Sequence, residues 1–361
     1  MGVLLGAGLA CPAAAHGAGL SVSRVLATPG LPAAVAASRG MQAWVSPSGP
    51  GHRFAVTVRG PGGVRRLAAT SAVGWIDGVK LGTDSRGRVI VVYSRCPYDP
   101  YGGGSDGHAG TDGCRLWWAP LQGGRARLIA GAPANSSVGV SVGGTVTFAV
   151  QHNTANEGGA ARIEQTGLTG GRAHPLEVPK LSHATVEDIS TSGSEVAFAD
   201  DREEPSRGEV SDGVSEIWLL APGSPASLVQ SDSWESAEPA HTGRYFQGLT
   251  LTSSAVYAFL YLEVGAVEDA QSGYMLYPSA TSLLEKISLP DLATDAVPWT
   301  PAAPFDKLGV AAEAYDPSDA ELTAAMFSNV LGYERSTDPC AAGIVGKRSC
   351  PVVQTAQVTF G

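Results

Sequence analysis

The 361-residue chain combines 43% hydrophobic with 16% charged residues, enough apolar material for a large core and too little charge for general disorder. Its 46 glycines and 24 prolines mark a turn-rich chain that stays below low-complexity levels. A net charge of -10, from 24 basic and 34 acidic residues, argues against nucleic acid as the main partner, and no run of 18 apolar residues follows the first dozen positions, so no membrane span is expected.

The chain opens on an export-like pattern. Residues 3–10 form a short apolar stretch, and Ala13-Ala14-Ala15 supplies the small residues that a signal peptidase reads, which predicts a signal peptide over 1–15 and a single domain over 16–361. No Lys or Arg precedes Arg24, so the charged segment that usually opens such a signal is missing. Cys11 offers lipidation as the alternative, but Gly8 stands where that cleavage pattern prefers Leu or Val.

Further along, apolar β-branched and aromatic strands recur at 42–46, 89–94, 145–150, 195–200, 255–260 and 321–327. Their starts lie 47, 56, 50, 60 and 66 residues apart, a loose period suited to propeller blades with variable insertions. Each is followed by a partner strand, at 54–59, 115–121, 161–168, 215–221, 284–289 and 354–360. An inner strand and a tight turn precede the apolar strand, as in 75–88, 138–144 and 186–194, where Gly87, Gly143-Gly144 and Gly193 supply positive φ. An outer strand follows the partner, as in 64–69, 125–130, 173–178 and 226–230. The expected fold is therefore all-β, a six-bladed β-propeller of four-stranded blades; a pair of β-sandwiches with coincidental periodicity is the alternative. The last repeat lacks an outer strand, and the first is preceded by one too many at 22–27. The expected resolution is a ring closed by the N-terminal strand in the last blade, which removes an open sheet edge.

Four cysteines follow the predicted signal. Cys96 and Cys114 bracket one polar loop and Cys340 and Cys350 another, so the simplest pairing is two local disulfides, in keeping with an oxidising compartment. Zinc is the competing reading, but no CxxC pair occurs and no His stands at ligand spacing beside these residues.

The stretch Gly82-Thr83-Asp84-Ser85-Arg86-Gly87-Arg88-Val89-Ile90-Val91-Val92-Tyr93-Ser94, followed by Cys96, Cys114 and Arg115-Leu116-Trp117-Trp118, resembles a blade of the TolB-like propellers. It is also similar to exported actinobacterial propellers of unassigned role. As a repeat pattern the resemblance covers most of the chain, and its motifs are structural. It implies a six- or seven-bladed ring used for protein or ligand contact, while a shared fold transmits no activity. The WD signature of other propellers is missing, as is a sialidase-type Asp box.

In such a blade the connections after the second and fourth strands leave one face. Here they hold nearly all the insertions, at 95–114, 151–160, 201–214, 231–246, 261–283 and 328–353. His108, His152, His183 and His241 fall in the predicted loops of that face, whereas His52 lies in a shorter first loop and His174 opens an outer strand. Glu187, Asp188 and Tyr245 are placed near the channel mouth. Tyr98-Asp99-Pro100-Tyr101 with Asp106 and Asp112 offers oxygen ligands for Ca²⁺ or another divalent metal, without EF-hand spacing. The run Asp200-Asp201-Arg202-Glu203-Glu204 reads as a solvated loop. No HExxH helix or P-loop occurs. The expected role is that of an exported propeller binding a protein or small ligand through its long-loop face, with Trp234, Tyr98, Tyr101 and Tyr274 as aromatic contacts. The alternative is a lyase or hydrolase at the channel mouth, with His152, His183 and His241 as base or metal ligand and Asp188 as the carboxylate.

Overall fold

The computed structural model describes residues 19–27, 34–47, 54–69, 75–97, 113–152, 160–179, 181, 184–203, 211–237, 240–264, 267–268, 275–276, 279–299, 308–328 and 352–360. No helix occurs among them, and so none that is long and apolar enough to cross a membrane. Strand β1 (Gly19–Ala27) comes first. Blade 1 follows with β2 (Ala34–Ser38), β3 (Met41–Pro47), β4 (Phe54–Gly60) and β5 (Gly63–Ala69). Blade 2 is β6 (Trp75–Thr83), β7 (Val89–Cys96), β8 (Arg115–Pro120) and β9 (Arg127–Leu128). Blade 3 is β10 (Ser136–Val142), β11 (Thr145–His152), β12 (Ala160–Gly167) and β13 (His174–Pro175). Blade 4 is β14 (Ala184–Ser192), β15 (Glu195–Glu203), β16 (Ser211–Leu220) and β17 (Ser227–Ala237). Blade 5 has β18 (Ala240–Leu251) and β19 (Ala255–Val264), then the small hairpin β20 (Val267–Glu268) and β21 (Met275–Leu276), then β22 (Ser279–Ser288) and β23 (Thr294–Trp299). Blade 6 is β24 (Leu308–Asp316), β25 (Glu321–Ser328) and β26 (Val352–Thr359), completed by β1.

Every blade is an antiparallel meander running from the axis outward, so the protein is a six-bladed β-propeller. Its closure follows the sequence expectation. β1 pairs antiparallel with β26 from Gly19 opposite Thr359 to Ala27 opposite Val352, so the two ends of the chain share one sheet and β26 keeps no free edge. Blades 4 and 5 are also joined edge to edge, because β17 runs on to pair with the start of β18 at Glu235–Thr242, Ser236–His241 and Ala237–Ala240.

Alternation along each strand sends one set of side chains to each neighbouring blade, so the hydrophobic core is divided among the spaces between blades. Ala43, Val45, Val56, Ile76 and Val91 fill the space between blades 1 and 2. Ile90, Leu116, Val146 and Phe148 fill the next, and Ile163, Ile189 and Phe198 the one after it. Phe246, Val256 and Ile217 lie between blades 4 and 5, Phe259, Leu284 and Leu322 between 5 and 6. Val35, Trp44, Ala314 and Val353 close the ring between blades 6 and 1.

The short inner turns use glycine where the backbone requires it. Gly143 and Gly144 take φ of 60° and 85°, the left-handed pair of a tight hairpin. Gly82 serves a different end, since a Cβ there would collide with the backbone of Ser141 on the next inner strand. The inner strands are also bent. Register shifts interrupt β6 between Ile76 and Val79, β10 between Ser136 and Gly139, β14 between Val186 and Asp188, β18 between Gln247 and Thr250, and β24 between Val310 and Ala312. Bulges of this kind re-aim side chains, here along the lining of the axis.

Candidate functional site

Within the axis the side chain of Lys80, on β6 of blade 2, reaches Asp188 on β14 of blade 4. Its Nζ lies 2.5 Å from Asp188 Oδ2, with the pair largely withdrawn from solvent at 20% and 7% side-chain exposure. The backbone N–H of Leu249, on β18 of blade 5, donates to the same Oδ2 at 2.6 Å, while Ile189 N–H donates to Oδ1 at 2.8 Å. Lys80 Nζ also donates to the Leu249 carbonyl at 3.5 Å. One carboxylate thus ties three blades together across the axis, and the bulges at Glu187 and at Gly248-Leu249 bring the groups to it. Charge-assisted bonds of this sort are the stronger members of their class.

Shorter links stitch adjacent inner strands. Gln151 Nε2 donates to Ser137 Oγ at 2.8 Å and to the Val186 carbonyl at 2.9 Å. Ser141 Oγ donates to the Thr83 carbonyl at 2.9 Å, and Leu251 N–H donates to Ser190 Oγ at 2.9 Å. Thr250 Oγ1 donates to the Tyr315 carbonyl at 2.8 Å. These side chains of the axis therefore bond to one another and to neighbouring backbone.

The residues expected from sequence are distributed unevenly around this centre. Asp188 lies inside the axis, opposite Ala199 on β15, with its oxygens engaged as described. His152 ends β11, opposite Ala160, and His241 lies near the start of β18, opposite Ser236. Both positions are at the long-connection ends of their blades, 3 and 5, with blade 4 between them. Trp234 stands on β17 opposite Gly213, and His174 is exposed on the outer strand of blade 3. His183, Tyr98, Asp99, Pro100, Tyr101, Asp106, Asp112, His108, His52, Tyr274, Cys340 and Cys350 lie outside the described residues. Cys96 and Cys114 form a disulfide that joins the end of β7 to the start of β8. No group of three or more His, Cys, Asp or Glu side chains positioned to hold a metal occurs among the described residues.

One expectation needs correction. The charge run at 200–204 is not simply a solvated loop, because β15 extends through Glu203 and Asp200 is fully buried. Alternation places Asp200 and Arg202 on the side facing blade 3. There the guanidinium of Arg202 lies 3.0 Å from Asp200 Oδ2 and also contacts Glu216, to which Trp218 Nε1 donates at 3.1 Å. Burial pushes the Asp200 carboxyl up to about 6, opposed by the charge of Arg202. Asp201 faces the opposite side; burial raises it, the Ser215 hydroxyl pulls it back, and the charge of Asp200 adds to the rise.

Two more carboxyls are buried in the spaces between blades. Glu285 on β22 is pushed up to about 7 by burial and by the charge of Asp232. Glu313 on β24 is pushed up to about 8 by burial, with the Ser282 hydroxyl the one group holding it back. At neutral pH Glu313 is mainly the neutral acid, which is how a buried carboxyl without a cation persists. None of these groups was singled out from sequence. Lys80 had a faint signal as the one cation of β6, but nothing in the sequence joined it to Asp188, 108 positions away.

The fold and the braced axis define a class, the closed six-bladed propeller, without defining a chemistry. No protein-family model matches the sequence, and no curated protein matches it. Solved structures with a similar fold include the β-propeller domain of the Trilobed protease from Pyrococcus furiosus, at 8% identity and a TM-score of 0.42 over 84% of this chain and 92% of that one. TolB from Acinetobacter baumannii is matched at 10% identity and a TM-score of 0.44, over 88% of this chain and 65% of TolB. A gluconolactonase from Xanthomonas campestris is matched at 10% identity and a TM-score of 0.46, over 94% of both chains. At 10% identity or less, these likenesses speak to the fold alone.

Proposed function

We propose that the protein is an exported propeller that binds a protein or small ligand through the face carrying its long connections. The observation behind this reading is the division of labour between the faces. The second-to-third-strand connections of blades 2 to 6 all leave one face, whereas the opposite face is made of short turns. Beneath that face Lys80, Asp188 and Leu249 brace the axis, giving the connections a rigid platform. Export is supported by the Cys96–Cys114 disulfide, since such bonds persist in oxidising compartments. The segments 98–112, 153–159 and 204–210 carry six acidic residues and one basic one, which favours a cationic or metal-bridged partner.

The test uses the whole chain and a variant in which residues 98–112 are replaced by a Gly-Ser segment of equal length between the retained cysteines. Both are titrated calorimetrically with oligolysine peptides, Ca²⁺, sugars and lactones. The reading requires a ligand that binds the parent and is lost from a variant that melts normally. Binding that survives replacement of this and the other long connections, or turnover of any titrant, would replace it.

A further inference from the structure

The net charge of -10 hides a division of the ring. Residues 1–150, which include blades 1 and 2, hold 13 basic and 5 acidic residues, whereas residues 151–361 hold 11 basic and 29 acidic. In blades 1 and 2 much of the excess lies on the short-turn face. Arg39 stands in the turn between β2 and β3, Arg65 and Arg66 at the start of β5, Arg86 in the turn between β6 and β7, and Arg125 and Arg127 at β9. All six are exposed, and none is ion-paired among the described residues. The nearby carboxylate of Asp84 is already engaged, accepting from the N–H of Arg86 at 2.9 Å and of Arg88 at 3.0 Å and from the Arg88 guanidinium at 2.8 Å. Toward blade 6 the patch ends at Asp316 and Asp319.

Two further features narrow the partner. Of the four exposed large apolar residues among the described ones, Val64 at 49% and Leu128 at 36% stand beside Arg65 and Arg127. The patch is made of arginine alone, whose planar fork binds phosphate in bidentate fashion. No exposed aromatic ring is present there among the described residues to stack nucleic-acid bases. We infer that the short-turn face of blades 1 and 2 docks on an anionic phospholipid surface, with the arginines on headgroup phosphates and Val64 and Leu128 in the interfacial layer. The turns form a broad face suited to a flat partner, and the acidic blades and long connections would then be directed away from the lipid. The inference concerns the face opposite the proposed ligand face and stands or falls separately from it.

The test is co-sedimentation of the full chain with vesicles of equal phosphatidylglycerol and phosphatidylcholine, and with phosphatidylcholine alone. Binding is expected to the anionic vesicles only, and raising the salt should weaken it. The double variant Arg65→Ala/Arg66→Ala should bind about 30-fold more weakly, from the loss of two membrane-facing cations. Arg115→Ala, an exposed arginine at the long-connection end of β8, should bind as the parent does. Equal binding to both vesicles, no binding to either, or an unaffected double variant would overturn the inference. So would retention on polyuridylate or polyglutamate without vesicle binding, which would assign the patch to a nucleic acid or an acidic protein.

Discussion

Lys80 and Asp188 lie on strands two blades apart, and the ring depends on their meeting. If Lys80 is replaced by Met, Asp188 keeps its two backbone N–H bonds but loses the one cation that pairs with it among the described residues. Leaving a buried carboxylate unpaired should lower the unfolding free energy by about 3 kcal/mol, read by denaturant titration. Adding Asp188→Asn removes the stranded charge and should restore part of the loss; two losses that simply add would show that the pair is not coupled. Glu313 gives a prediction of the opposite electrostatic sense. Its folded value of about 8 lies above the ordinary carboxylate value of 4.5, so the folded state holds the proton more tightly than the unfolded chain. Its contribution is fully present in acid and is lost as pH rises from about 4.5 through about 8. Glu285, at about 7, and Asp200, at about 6, act in the same direction. The melting temperature should therefore fall by several degrees between mildly acidic and mildly alkaline solution, and Glu313→Gln should flatten that fall; an identical pH profile for the variant would contradict the assignment. Asp188 was legible as a carboxylate near the channel mouth, but its pairing with Lys80 and the burial of Glu313, Glu285 and Asp200 were not, because a charged residue shows its environment only once the neighbouring blade is in place. Asp200 illustrates the difficulty, since beside Asp201, Arg202, Glu203 and Glu204 it has the look of a solvated segment and yet is fully buried.

At the level of strands the sequence was far more informative. The apolar strand predicted at 89–94 is β7, Val89–Cys96, and that at 195–200 is β15, Glu195–Glu203, because a strand packed on both faces must be apolar nearly throughout. The closing strand was legible for a different reason: blade 6 lacked a fourth strand and the N-terminus offered a spare one. Deleting residues 19–27 should expose the edge of β26, lowering the melting temperature and causing aggregation seen by light scattering. A truncated chain that melts as the intact one does would show that β1 is dispensable. The Cys96–Cys114 bond was likewise foreshadowed by its spacing. Replacing both cysteines by Ser should cost about 3 kcal/mol, the loop-entropy value for a closure of this length, while leaving the blade folded. The bulges in five inner strands left no such trace, although they carry Asp188 and Leu249 into contact.

Taken as a whole, the molecule is a ring with two unlike faces and two unlike halves. The long connections leave one face, the short turns form the other, and the basic blades 1 and 2 adjoin an acidic remainder. A rigid ring is a suitable frame for recognition, because it holds separate connections at fixed positions and so reduces the ordering cost of binding. The most direct test of this account is amide hydrogen exchange on the full chain, alone and saturated with the tightest ligand found among the oligolysine peptides, Ca²⁺, sugars and lactones. Protection is expected in 98–112, 153–159, 204–210 and 265–278 and at the adjoining strand ends, with the short turns at 38–41, 60–63 and 143–144 unchanged. Protection confined to the short turns, or no change in the long connections at saturation, would contradict it.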